Sequence, residues 1–226
     1  MGRYDNNLGI MNQKELNIIN NTNVLLIGAG GLGGYVANSL ARLGIINLTI
    51  VDNDYFVESN LNRQLYSNMK TIGKSKVKVT KKELLKINPS MKITIYEKRY
   101  NESIDDSVFN DIDIVFEAVD NIETRLLIEA DCTKHNVPLI HGAIAGWTGW
   151  VGIIMPNTNI FQDIYQYKKS GKGVEETLKS PTFIPAIIAN LMATEFVKFL
   201  LNKKSLTNQI LFIDVLEHEY RIIYKK

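Results

Sequence analysis

A run of glycines between an apolar segment and a helical one constrains this chain more than any other feature. Residues 23–27 are compactly apolar and read as a strand, and Gly28-Ala29-Gly30-Gly31-Leu32-Gly33-Gly34 follows at once. Leu32, Val36, Leu40 and Leu43 then recur at helical spacing as far as Gly44, a helix stop. A second strand over 48–51 ends at Asp52. Strand, glycine turn, helix and strand within about thirty residues make a βαβ unit. Its parallel strands require a right-handed crossover.

Glycines let a backbone come close to phosphate, and the helix N-terminus behind them offers free N–H groups and the positive end of its dipole. Asp52 stands where a carboxylate accepts hydrogen bonds from a ribose diol. That points to an adenine nucleotide without separating NAD from ATP. The alternative is a glycine turn that only packs helix against sheet.

The alternation continues. An Asn12-capped helix with Glu15 at the box position spans 11–21. Helices are expected over 73–87, 103–110 and 122–135, and strands over 92–96, 113–118 and 137–141. Beyond 142 the pattern changes to a strand over 151–155, a polar stretch over 157–180 whose run 168–173 reads as mobile, and an apolar helix over 185–201. Strands over 209–214 and 220–224 follow, with 215–219 closing a hairpin. The expected fold is α/β: a Rossmann-like, doubly wound, mostly parallel sheet with helices on both faces and a C-terminal antiparallel extension. No repeat or long linker divides the chain. It reads as one domain over 1–226, with a helical arm over 1–22, a nucleotide-binding core over 23–142 and a sheet extension over 143–226.

Composition narrows the function classes. The 226 residues are 45% hydrophobic and 22% charged, a globular composition. With 26 Lys+Arg against 24 Asp+Glu, the net charge of +2 supplies no global field for nucleic acid or an anionic membrane. One cysteine, Cys132, excludes an internal disulfide and a multi-thiolate zinc site. No basic-then-apolar leader opens the chain. The longest uncharged run, 136–162, is broken by Pro138, Pro156 and four glycines, and reads as buried strands rather than a membrane span. The expected location is the cytoplasm.

Two further motifs favour a triphosphate over a dinucleotide. After Asp52-Asn53-Asp54 comes Ser59-Asn60-Leu61-Asn62-Arg63-Gln64, for which a nicotinamide enzyme has no clear use. Arg63 brings a fixed charge and five donors to phosphate oxygens, and Ser59 and Asn60 add hydrogen bonds. Lys76, at the opening turn of a helix, is a second cation suited to charge moving toward a leaving pyrophosphate. Phe116-Glu117-Ala118-Val119-Asp120-Asn121 then lies at the carboxyl end of a strand, the edge where open α/β sheets bind ligands. Asp120 is a candidate Mg²⁺ ligand. Either Asp120 or Asn121 suits the N-cap of the helix that follows.

In this order and spacing these residues resemble the ThiF/MoeB/HesA family, the bacterial relatives of ubiquitin-activating enzymes. The resemblance runs along nearly the whole chain. It takes in Gly28 to Gly33, the Asp52 and Asp54 loop through Gln64, Lys76, Ile87-Asn88-Pro89, and Asp120-Asn121 with Arg125. It also takes in Pro138-Leu139-Ile140-His141-Gly142-Ala143, Pro181 to Pro185, and Thr194 to Lys198. It implies that the C-terminal Gly-Gly carboxylate of a small ubiquitin-like sulfur carrier of the ThiS or MoaD kind attacks the α-phosphate of Mg·ATP. The products are an acyl-adenylate and pyrophosphate. The resemblance further implies that Gly28, Gly30, Gly31, Gly33, Asp52, Asp54, Ser59, Asn60, Arg63, Gln64 and Lys76 form the ATP site. Asp120 would hold Mg²⁺ with Asn121 beside it, in a homodimer.

Three departures shape these expectations. The paired Cys-x-x-Cys zinc motif of many members is missing, so no zinc is expected. Cys132 matches no thioester-forming position and reads as a buried helix residue, leaving adenylation alone, with sulfur from a separate donor. The family's N-terminal Arg-Tyr-x-Arg-Gln becomes Arg3-Tyr4-Asp5-Asn6-Asn7, with Asn6 where an arginine usually reaches into the neighbouring subunit. Other readings stay open: adenylation of a non-protein or tRNA-linked substrate, a nucleotide-binding scaffold without activity, or, last, an NAD-dependent oxidoreductase. Gly142 to Trp150 suggests either a channel for an extended tail or two core tryptophans. His141 reads as a satisfied strand-end residue rather than a catalyst.

Overall fold

A computed structural model describes residues 2–101, 104–166, 171 and 175–225. A short 3-10 turn, Asp5–Gly9, leads into α1 (Gln13–Asn21), β1 (Asn23–Ile27), α2 (Gly31–Leu43), β2 (Asn47–Val51), α3 (Lys76–Ile87) and β3 (Lys92–Tyr96). Then come β4 (Ile114–Glu117), α4 (Ile122–Lys134), β5 (Leu139–Ala145), β6 (Thr148–Ile154), α5 (Ile160–Ile164), α6 (Glu175–Leu178), α7 (Phe183–Leu200), β7 (Gln209–Asp214) and β8 (Glu219–Lys225). All eight strands form one sheet in the order β3-β2-β1-β4-β5-β6-β7-β8. The strands from β3 to β5 pair in parallel, and β6, β7 and β8 add antiparallel hairpins. This is the mostly parallel, doubly wound sheet with an antiparallel extension that the alternation predicts.

Period-two burial explains the layers. Along β1, Val24 and Leu26 face a core built with Val36 and Leu40 of α2 and Ile188, Met192 and Phe196 of α7. Leu25 and Ile27 face the opposite core with Val115, Ile128 and Cys132. A strand buried on both faces is therefore apolar throughout. The α7 helix is apolar and long enough to cross a membrane by length and composition. Here it lies on the sheet with Phe196 against Phe116, ring centroids 5.5 Å apart. Truncating such a buried ring typically costs about 3–5 kcal/mol.

Local chemistry sets the ends of the elements. In α1, Asn12 and Glu15 form a reciprocal capping box, and α2 stops at Gly44 with φ +101°. The helix expected from residue 73 begins at Lys76. Gly73 has φ +77°, and Ser75 bridges Tyr55 before the chain can coil. The helix expected over 103–110 is, among its described residues, a 3-10 turn at Asp106–Phe109, with Asp105 accepting the Ser107 N–H. Ser103 lies outside the described residues, as does most of the run 168–173. The polar stretch 157–180 contains α5 and α6.

The two strands expected over 137–141 and 151–155 are arms of one long hairpin, β5–β6. Two of its glycines, Gly142 and Gly149, face α7. A side chain on Gly142 would collide with Met192, and one on Gly149 with Ile188, so both let α7 lie close on the sheet. Trp147, at the turn, is exposed and sits 4.8 Å from Phe183, while Trp150 is half buried.

Candidate active site

In the sheet order, β1 lies between β2 and β4, so the connections leave in opposite directions at the β1/β4 boundary. Open α/β sheets bind ligands in the crevice at such a point, beyond the carboxyl ends of the strands. A cleft of about 1060 Å³ lies there. Its walls include Gly28, Gly30, Gly31, Asp52, Asp54, Ser59, Arg63, Gln64, Lys76, Asp120 and Asn121, gathered from four separate segments.

Two expected site residues stand behind the walls. Gly33 meets the Gly28 carbonyl so closely that no side chain fits, so it seats α2 on β1. Asn60 is buried, and its Oδ1 accepts the Val57 N–H at 3.1 Å. It braces the loop that carries Arg63 instead of facing the cavity.

The turn after β2 organises the cation side. Asp52 Oδ2 accepts the Ala29 N–H at 2.6 Å and Oδ1 accepts the Asp54 N–H at 2.7 Å, so its carboxylate ties the glycine turn to the next loop. Burial pushes the Asp52 carboxyl above its ordinary value, against the pull of the Ala29 N–H, Lys76 and the Asp54 N–H. Lys76 starts α3 with its N–H on the Asp54 carbonyl and its Nζ 2.8 Å from Asp54 Oδ2. Arg63 Nη1 donates to the Ser59 carbonyl at 2.8 Å and to Asn62 Oδ1 at 2.9 Å. Gln64 lies beside Gly30, its Oε1 buried and without a hydrogen-bond partner among the described residues.

The β4 exit forms the acidic side. Asn121 caps α4, its Oδ1 accepting the Thr124 N–H at 2.8 Å. That settles the choice between neighbours and leaves the exposed Asp120 carboxylate on the cleft rim. Beneath it, Glu117 pairs with His141 at 2.6 Å and with Arg125 at 3.4 Å, all three buried. Burial alone would raise the Glu117 carboxyl. Arg125, His141 and the Val119 N–H outweigh it and hold the group below its usual range. Because β5 runs on to Ala145, His141 is inside the strand and not at its end.

Sequence reasoning passed over several wall residues: Arg99, Tyr100, Ile144, Lys179 and Ser180. Arg99 and Tyr100 follow a strand on the same carboxyl edge, a signal that was there to be used. Lys179 and Ser180 carried none. They arrive from the segment before α7, where the Ser180 carbonyl accepts Asn62 Nδ2 at 3.3 Å. At the N-terminus, Asn6 is exposed in the 3-10 turn, and Arg3 Nη1 donates to Asn88 Oδ1 at 3.1 Å, at the end of α3 remote from Lys76.

The profile of the ThiF family matches residues 4–226. The chain belongs to the ThiF family. It is 32% identical over 194 residues to a probable molybdopterin-synthase adenylyltransferase of Porphyra purpurea, covering 84% of this chain and 51% of that protein. It is 30% identical over 224 residues to a probable adenylyltransferase/sulfurtransferase MoeZ of Mycobacterium tuberculosis, covering 96% and 56%. This ThiF-family chain thus spans about half the length of those relatives. Among solved structures, E. coli MccB with ATP superposes with a TM-score of 0.80 at 22% identity, covering 99% of this chain and 71% of that one. That likeness carries the fold.

Proposed function

We propose that this ThiF-family protein is an ATP-dependent adenylyltransferase for the C-terminal Gly-Gly carboxylate of a ubiquitin-like sulfur carrier of the ThiS or MoaD kind. The observation that carries the reading is the convergence of the glycine turn, Arg63, Lys76 and Asp120 on one cleft at the β1/β4 boundary. The names of the relatives support the reaction class.

An α-carboxylate titrates at roughly 3.3–3.7, so the nucleophile is ionised at neutral pH and needs no general base. The chemical demand is to bring two anions together and to neutralise charge moving onto the leaving pyrophosphate. The N–H groups at the start of α2 grip phosphate. Arg63 and Lys76 supply fixed positive charge, and Asp52 holds the turn that aims the N–H groups. The Gln64 amide nitrogen lies beside Gly30, where a donor suits a phosphate lying along that turn.

The donor set also fits Mg²⁺. A nucleotide-bound Mg²⁺ takes one or two carboxylates plus phosphate oxygens and water, and Asp120 offers an exposed carboxylate on the rim. When bound, the ion would neutralise phosphate charge. Cys132 is 3% exposed in the core under β4, which supports adenylation alone, with sulfur supplied by a separate donor. A cytoplasmic homodimer completes the reading.

Pyrophosphate–ATP exchange with Mg²⁺, with and without carriers ending in Gly-Gly, tests it, with Asp120→Ala run alongside. Carrier-dependent exchange that vanishes in the variant is the expected result. ATP binding without exchange would move the assignment to a nucleotide-binding scaffold, the reading that Asn6 and the engagement of Arg3 with Asn88 favour.

A further inference from the structure

A buried ion pair beneath the cleft converges on a single residue, Val119. Glu117 ends β4 with no exposed surface, and Arg125, in the first turn of α4, is 4% exposed. Glu117 Oε1 accepts the Val119 N–H at 2.8 Å, and Arg125 Nη2 donates to the Val119 carbonyl at 2.9 Å. Both polar groups of Val119 are therefore held by the same pair. Glu117 Oε2 lies 2.6 Å from Nδ1 of His141, its register partner on β5, which fixes the carboxylate from its other side. Arg125 Nη1 donates to the Tyr165 hydroxyl at 2.9 Å, which fixes the guanidinium.

Stability is a poor explanation for this arrangement. Desolvating two charges offsets most of their attraction, and apolar side chains of similar volume often hold a fold as well or better. The consistent effect of the pair is local, because it immobilises the peptide that leads into Asp120. One residue earlier, the Ala118 carbonyl lies 2.5 Å from where a Cβ on Gly28 would sit, so the β4 exit is seated directly on the glycine turn.

We propose that Glu117 is a positioning residue for Asp120. Acting with Arg125 through Val119, it sets where the Asp120 carboxylate stands relative to the glycine turn, and so sets the affinity of the nucleotide-loaded cleft for its divalent cation. The proposal rests on the reading of Asp120 as the cation ligand. It adds that the ligand's placement is governed from below by a carboxylate that touches neither cation nor nucleotide.

The test separates cation from nucleotide. ATP affinity is measured in EDTA, and Mn²⁺ affinity of the ATP-loaded protein is followed by electron paramagnetic resonance. Wild type is compared with Glu117→Gln, Glu117→Asp and Asp120→Ala. Glutamine keeps the shape and removes the charge. Aspartate keeps the charge and withdraws it from Val119 by one methylene. Neither readout needs an acyl substrate, so the result stands apart from the identity of the carrier. Positioning predicts Mn²⁺ binding weakened about ten- to a hundredfold in both Glu117 variants, the range typical of lost outer-sphere support, with metal-free ATP affinity unchanged. Equal weakening of both affinities, unaltered Mn²⁺ affinity in a folded variant, or full rescue by aspartate would overturn the proposal. Mn²⁺ affinity retained in Asp120→Ala would instead bring down the cation reading itself, and the proposal with it. If Glu117→Gln does not fold, Glu117→Asp decides alone.

Discussion

Lys76 Nζ lies 2.8 Å from Asp54 Oδ2, with the lysine side chain 7% exposed and the aspartate 59%. A nearly dry cation is thus held in the cleft wall by a wet anion. Replacing the two is expected to have unequal effects. Lys76→Met should lower kcat/KM for exchange about a hundredfold or more, the scale of losing one preorganised charge-stabilising group. Asp54→Asn should cost about 1 kcal/mol or less in stability, since pairs with an exposed partner contribute little. Exchange kinetics and melting curves on both variants check this, and equal kinetic losses would contradict it.

Asp120 and Asn121 are neighbours with different work. Asn121→Ala removes the α4 cap and should lower stability by about 1 kcal/mol while exchange continues. Asp120→Ala should melt like the wild type and lose exchange. If the two phenotypes trade places, the assignment of cap and rim carboxylate is wrong.

Cys132 is expected to be chemically silent. Burial, with Asp131 and Glu129 nearby, pushes its thiol well above the ordinary value. Cys132→Ala should therefore keep the wild-type exchange rate, and intact-mass spectra should show no thioester to the carrier. A carrier adduct that disappears in this variant would refute the separate sulfur donor.

Glu129 makes stability depend on pH. Its carboxylate is buried, and Oε1 accepts the Phe161 N–H at 2.8 Å at the start of α5. Burial raises its pKa above the ordinary 4.5, against the pull of backbone N–H groups at Phe161, Gln162 and Ile160. The folded protein therefore binds this proton more tightly than the unfolded chain. The resulting stability is complete below the unfolded pKa and is lost as pH rises through the folded one. Glu129→Gln removes that slope. The melting temperature of wild type minus variant should fall as pH is raised from 4 toward neutrality, and a difference that rises instead would show the sign to be wrong.

The parts of the fold and site legible in the sequence were those made by neighbours. The β1–α2–β2 unit rests on an apolar run, a glycine turn and helical spacing within one window, and its boundaries agree with the chain to within a residue or so. Much of the cleft was legible for the same reason, since the glycine turn, the Asp52 loop and Asp120 each follow the end of a strand, while Lys76 opens a helix. What escaped depends on distant partners. Gly142 and Gly149 look like channel glycines until α7 brings Met192 and Ile188 onto them. The union of Glu117 with His141 exists only through the register of β4 on β5. Whether Asp120 or Asn121 caps α4 is a matter of backbone direction that residue type leaves open.

The strand order also has a kinetic consequence. The β5–β6 and β7–β8 hairpins join close neighbours, whereas β1 and β4 pair across about ninety residues. Hairpins form in about 1–10 μs, while a long loop must be closed before its contacts repay the lost chain entropy. The two walls of the cleft are therefore expected to meet after the hairpins beside them form, an order that pulsed hydrogen exchange during refolding would read. The β6–β7 pairing that joins the two hairpins is itself long-range, from Thr148 to Asp214, so the complete sheet waits on two distant closures.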